Sequence, residues 1–140
     1  MYDNIMNTKN FRNHSVHVRF SVSDGGDDNI IIHCHSNYEI LYFMRGNVRY
    51  IIEGAEYSLT AGSLLLIPPN VVHGVKACGD GTYQRCVLDI YPEGFDLDGG
   101  NLLRRVFSNK CYYENTDGRG IGNAFDDIFS AAPLGDWALN

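Results

Sequence analysis

The chain has 140 residues, enough for one domain with its own core and too few for two comfortable ones. Its 17 acidic residues against 11 basic ones give a formal net charge of −6, and no Lys or Arg follows Arg119. That balance lacks the basic stripe that grips a phosphate backbone, so this polypeptide is not expected to bind nucleic acid by itself, and no apolar run approaches a membrane span.

The N-terminus is polar, with no signal peptide, and the four cysteines (Cys34, Cys78, Cys86, Cys111) show no C-x-x-C spacing. A cytoplasmic location with reduced thiols is the expectation, and Cys34 reads as a small buried apolar residue. Residues 1–14 are polar and Asn-rich without a period, which suggests a mobile arm. From Ser15 to Val22 the pattern alternates: Val16, Val18, Phe20 and Val22 share one face, and His17, Arg19 and Ser21 the other. That is a half-buried strand whose polar face is expected to be solvated. The turn-rich break 23–28 follows, then strands near 29–35, 38–45, 47–53, 56–59, 63–67, 72–76 and 82–91. Gly46-Asn47, Gly54-Ala55, Ala61-Gly62, Pro68-Pro69-Asn70 and Gly79-Asp80-Gly81 supply the turns. Many short strands with regular turns predict a mainly β fold, a sandwich or small barrel.

After Pro92 the period changes. Residues 101–107 and 123–129 place apolar side chains at helical spacing, and 136–140 reads as the first turn of another helix. A natural chain rarely stops one turn into an amphipathic element, so a longer protein is expected.

The stretch with most chemistry is His33-Cys34-His35 running on to Glu39. In extended structure His33 and His35 project from one face, and Glu39 can join them if the bend at Ser36-Asn37 is mild. Some forty residues on, His73 follows Gly62 and Pro68 and can complete the set. Three imidazoles and a carboxylate suit a divalent transition metal (Zn, Ni, Fe or Mn); the same groups also suit an ion-free polar pocket for a small molecule. Parity from Glu39 puts Leu41, Phe43 and Arg45 on the site face, and Tyr83, Arg85, Val87 and Asp89 share a face on the last strand. His73 and Val75 pair likewise. Arg45 reads either as a donor fork for a polyol or carboxylate or as an exposed strand-end residue. His17 and Arg19 are weaker candidates, and Tyr38, Tyr42 and Tyr50 could stack on a ring or serve the core.

His33, His35, Glu39 and Gly46 fit the first cupin motif, with Asp27, beside Gly26, where a glycine usually stands six positions before the first histidine. Gly62, Pro68 and His73 fit the second, with Asn70 where a glycine is usual and Ala77 where an asparagine is usual. Asn tolerates left-handed backbone angles, so the departure at Asn70 is mild. Three stretches, 35–46, 51–59 and 61–69, closely resemble the N-terminal sensor domain of AraC-type transcription regulators. The resemblance covers roughly residues 15–92.

It implies a cupin jelly-roll barrel over 15–92, a double-stranded β-helix, preceded by a flexible arm (1–14). Over 93–140 it implies C-terminal dimerisation helices, ending before a helix-turn-helix DNA-binding domain. A sensing and dimerising role follows: a small, polar, sugar-like effector in the barrel, a homodimer, no membrane, and DNA contacted only through the absent domain. The resemblance also implies ligand-binding roles for His73, Arg45, Arg85, Glu39, Val75 and Val87, and an arm, residues 4–11, that orders over the occupied pocket. The competing reading is a small metal-dependent cupin enzyme, an isomerase or dioxygenase, with His33, His35, Glu39 and His73 as ligands.

Overall fold

A computed structural model describes residues 5–24, 31–78, 82–114, 116 and 119–131. The expected turns at 25–28 and 79–81, the start of the arm and the helical turn at 136–140 lie outside the described residues.

The strands are β1 (Ile5–Arg12), β2 (Val16–Asp24), β3 (Ile31–His33), β4 (Tyr38–Arg45), β5 (Val48–Ile52), β6 (Ala55–Ser58), β7 (Leu64–Ile67), β8 (His73–Ala77), β9 (Thr82–Ile90) and β10 (Tyr112–Tyr113). Helices α1 (Leu97–Phe107) and α2 (Ile121–Ala131) follow the barrel strands. Six strands make one sheet, in the order β1-β2-β9-β4-β7-β10, and four make a second, β3-β8-β5-β6. The neighbours run antiparallel throughout. The mainly β architecture expected from the alternating pattern is therefore the observed one.

The two sheets face each other across a core drawn from both. Leu41, Phe43, Leu65, Ile67, Tyr83 and Val87 of the larger sheet meet Val48, Tyr50 and Ile52 of the smaller. The outer face of the larger sheet is covered by the helices. Phe107 of α1 packs with Tyr38, Leu66 and Ile90, its ring 4.7 Å from that of Tyr38. Phe125 and Phe129 of α2 pack with Tyr42, Val18, Cys86 and Phe11. Each fully buried aromatic contributes about 1.5–3 kcal/mol of transfer free energy, which is why the helices lie flat on the sheet.

Helix α1 begins earlier than its apolar period suggests. Asp96 caps it, its Oδ1 accepting from the Gly99 N–H at 2.8 Å, and so the Gly99-Gly100 pair is carried inside the first turns.

Residues 5–12, expected to be a mobile arm, form a strand. β1 pairs with β2 from Ile5↔Ser23 to Arg12↔His17, Phe11 is buried against α2, and the Lys9 ammonium lies 5.7 Å from the Phe129 ring. Sheet-edge pairing is satisfied by backbone groups, so a polar, aperiodic segment can take it when a partner strand is offered. Cys34 is exposed, not buried, because β3 ends at His33 and the chain there has left the sheet.

Candidate functional site

His33 ends β3 and His73 opens β8, directly opposite each other across the ladder. Their ring centroids lie 4.4 Å apart. Glu39 is the second residue of β4, on the inward face with Leu41 and Phe43, and His35 stands in the short connection between β3 and β4. The connection 68–72 locks these elements together. Asn70 takes the left-handed conformation (φ +64) that a glycine would otherwise supply there, and its N–H donates to the His35 carbonyl at 2.7 Å.

The site atoms converge. One ligand atom from each of His33, His35 and His73 falls within 4.8 Å of the others. His35 Nε2 stands 3.5 Å from Glu39 Oε1, and His73 Nε2 stands 3.8 Å from Glu39 Oε2. The second spacing is too long for a hydrogen bond, and the first lies at its outer limit.

The other ring nitrogens fix the tautomers. His73 Nδ1–H donates to the Val71 carbonyl at 2.8 Å and His35 Nδ1–H to the Asn37 carbonyl at 3.1 Å. Both Nε2 atoms are buried and turned toward the Glu39 carboxylate, with no partner at ordinary hydrogen-bond distance. Buried polar atoms are seldom left so, and imidazoles pinned at one nitrogen with the other bare are how a histidine metal ligand is presented. The donor set fits a divalent transition ion. Such an ion, when bound, would supply Lewis acidity; His33, His35, Glu39 and His73 would hold it.

Charge is tuned accordingly. Burial would push the Glu39 carboxyl up, but His35 and His73, with Arg19 further off, outweigh it and hold Glu39 below its ordinary range. The same contact raises His35. His33, the exposed member at the rim, is lowered by burial of part of its ring and by His73.

Beside this cluster lies a second polar group. Asp89 pairs with Arg19 Nη1 through Oδ2, and its Oδ1 accepts from Asn37 Nδ2 at 3.0 Å. His35, Glu39 and Asp89 also bring ligand atoms within 4.8 Å of one another. Both Asp89 oxygens are already engaged, so Asp89 orients Asn37 and Arg19 at the site's edge. Arg19 Nη1 further reaches His17 Nδ1 at 3.4 Å, whose Nε2–H donates to Asn10 Oδ1 of β1 at 2.8 Å.

The polar face of β2, expected to be solvated, is thus the inner one. Ser21 and Ser23 are buried, Arg19 is paired, and the valines of β2 face the helices. Alternation identifies which residues share a face, not which face turns inward.

The remaining candidates divide. Val87 and Arg85 lie on the inner face of β9 and are buried; Val75 faces in from β8 opposite Tyr50. Tyr50 is buried in the same interior, its phenol pushed well above its usual range by burial and then by Glu39. Tyr38 and Tyr42 point the other way, toward α1 and α2.

Arg45 does not join the site. A register shift between Phe43 and Arg45 sets Arg45 opposite Gln84, which is on the outer face, and Arg45 is exposed. The extra residue of a β-bulge reverses the parity on which the inward placement rested. Asp89 and Arg19 were underweighted by sequence reasoning; the only signal for them was opposite charge on two strands that happen to pair, His17↔Asp89 and Arg19↔Val87.

Solved structures share this architecture. A cupin protein from Bacteroides fragilis is 21% identical with a TM-score of 0.52, covering 60% of this chain and 72% of its own. A conserved protein of unknown function from Streptococcus pyogenes is 15% identical with a TM-score of 0.55, covering 66% and 78%. An RmlC-like cupin family protein with a double-stranded β-helix fold, from Methanocaldococcus jannaschii, is 16% identical with a TM-score of 0.53, covering 64% and 82%. At such identities the likeness concerns the fold, which is the cupin double-stranded β-helix. A comparison with curated proteins finds no match. No helix among the described residues is long and apolar enough to cross a membrane. The family model described as the AraC-like ligand binding domain matches residues 19–133, barrel and both helices together, and the chain belongs to that family.

Proposed function

We propose that this chain is the effector-sensing and dimerising part of an AraC-type transcription regulator, with a small polar, sugar-like effector bound between the two sheets. The observation that carries the reading is the inward polar set, His35, Glu39, His73, Arg85 and Asp89, gathered inside a domain of a ligand-binding family. His73 and Glu39 would contact the effector directly or through a metal, with Val75 and Val87 lining the approach. DNA contact would belong to a domain outside this chain.

Dimerisation through the helical part is supported by α1. Leu103 and Phe107 turn toward the sheet, whereas Leu102 and Val106, one turn apart on the neighbouring face of the helix, are exposed. Transmission from the site has a physical carrier as well. His17 and Arg19 link Asp89 to Asn10 of β1, and β1 also holds Phe11 and Lys9 against α2.

A thermal-shift screen with neutral sugars, sugar acids and divalent metals tests the reading, since a ligand that binds only the folded state raises its melting temperature. At least one sugar-class or metal response is expected, and His73→Ala should abolish it. An undiminished response in that variant would move the site elsewhere.

The two buried Nε2 atoms turned toward Glu39 favour a second reading, a metal-dependent cupin enzyme of isomerase or dioxygenase type. Purified protein that, after loading, retains less than about a tenth of an equivalent of Zn, Ni, Fe or Mn would remove it, because an open three-histidine, one-carboxylate site should hold its ion far better.

A further inference from the structure

The two arginines on the inner face of the larger sheet are in different electrostatic states. Arg19 is neutralised by Asp89. Arg85 is 9% exposed, and among the described residues no carboxylate comes within 4.0 Å of its guanidinium. One of its nitrogens donates to Ser23 Oγ at 2.5 Å, and the guanidinium carbon lies 4.4 Å from the Tyr83 ring centre. A hydroxyl and a ring face contribute a dipole and a quadrupole, not a countercharge. A guanidinium carries five donors and is never discharged at ordinary pH, so a buried one normally has an anion beside it.

The surroundings of Arg85 define what that anion belongs to. Parity places Arg85 on the same face as Tyr83 and Val87, and the register sets it opposite Phe43 of β4 on one side and Ser21 of β2 on the other. Val87 and Leu41 are apolar and buried between Arg85 and the histidine–Glu39 end. Asp89 lies four residues beyond Arg85 on β9, about 13 Å along the strand. The face therefore runs from a cationic end, across a short apolar stretch, to an acidic and imidazole-rich end.

We propose that the effector is a small organic acid whose carboxylate pairs with Arg85, its body lying against Leu41 and Val87. The proposal deepens the sensing role and rests on it. A neutral sugar leaves the guanidinium uncompensated; a carboxylate matches its planar fork with two parallel hydrogen bonds. Ser23 and Tyr83 then act as positioning residues that hold the guanidinium in the plane of the incoming carboxylate. In the ligand-free protein Arg85 is a destabilising residue, kept for binding.

The test uses matched acid and neutral probes on the whole chain: benzoate against benzamide, hexanoate against hexanamide, and glucuronate against glucose. Melting temperature and calorimetric affinity are read on wild type and Arg85→Met. At least one acid should bind about 10- to 100-fold more tightly than its neutral partner, the discrimination expected of a charge-assisted hydrogen bond, and Arg85→Met should erase the difference. Without ligand, Arg85→Met should melt no lower than wild type, because methionine fills the volume without a buried charge. A ligand-free Arg85→Met protein that melts several degrees lower assigns Arg85 a structural role and overturns the proposal. If glucose raises the melting temperature and none of the acids does, the proposal falls while the sensing role stands. If no probe of either kind acts, the sensing role falls with it.

Discussion

Gly46 joins β4 to β5 with φ +127, and a Cβ built there would lie 2.3 Å from Tyr83 Cβ and 2.7 Å from Tyr83 Cα. Gly54, in the turn between β5 and β6, also has positive φ (+84), but a Cβ there meets nothing within 4 Å. The pair separates conformational strain from steric overlap. Alanine at either position takes on a left-handed penalty of about 1–2 kcal/mol. At position 46 the neighbouring atoms belong to the β9 backbone and the root of its side chain, which cannot swing aside, so overpacking adds about 1–3 kcal/mol. For a chain of this length each kcal/mol moves the midpoint by about 3 °C, so Gly46→Ala should melt about 3–9 °C below Gly54→Ala. Scanning calorimetry of the two variants and the wild type measures this directly. Tyr83 also flanks Arg85, so Gly46→Ala should weaken ligand-induced stabilisation while Gly54→Ala leaves it intact. Equal midpoints for the two alanine variants would refute the claim that β9 is pressed against this turn.

Zinc at a hundred times its dissociation constant should stabilise the wild type by about 2.7 kcal/mol, roughly 8 °C here, and Glu39→Gln should lose more than half of that shift; identical shifts would take Glu39 out of the ligand set. Leu102→Asp with Val106→Asp should turn a dimer into a monomer in analytical ultracentrifugation while circular dichroism shows the protomer still folded, because both side chains are exposed; an unaltered dimer would place the interface elsewhere. Burial, followed by Arg19, lowers the pKa of His17, so the native state prefers the neutral ring. Its share of stability is complete above the unfolded value near 6.5 and declines as pH falls through the lowered native value. Denaturant midpoints of His17→Gln should therefore drop less steeply than wild type between pH 7 and 5, and parallel profiles would contradict this.

Much of the barrel was legible because strand alternation and turn chemistry are local. The strands at 38–45, 64–67 and 82–90 fall where the pattern put them, and Asn70 adopts the left-handed angle its substitution for glycine demands. The histidine–Glu39 cluster was legible too, since His33, His35 and Glu39 are close in sequence and His73 follows a turn of recognisable chemistry. Arg45 was misplaced for an equally local reason: one bulge at the end of β4 changes the face of everything after it.

By itself the sequence determined which side chains travel together, because period two is a property of the extended backbone. It could not say which of two faces would be enclosed, and on β2 the enclosed face is the polar one, carrying Arg19, Ser21 and Ser23. That choice belongs to the tertiary structure. α1 and α2 cover the apolar face of the large sheet, leaving the polar face for the interior, where Asp89 neutralises one arginine and leaves Arg85 without a countercharge among the described residues. Where Ile5–Arg12 lies was decided in the same way, since an edge strand is held by backbone hydrogen bonds and by Phe11 against α2, neither of which leaves a period in the amino acids.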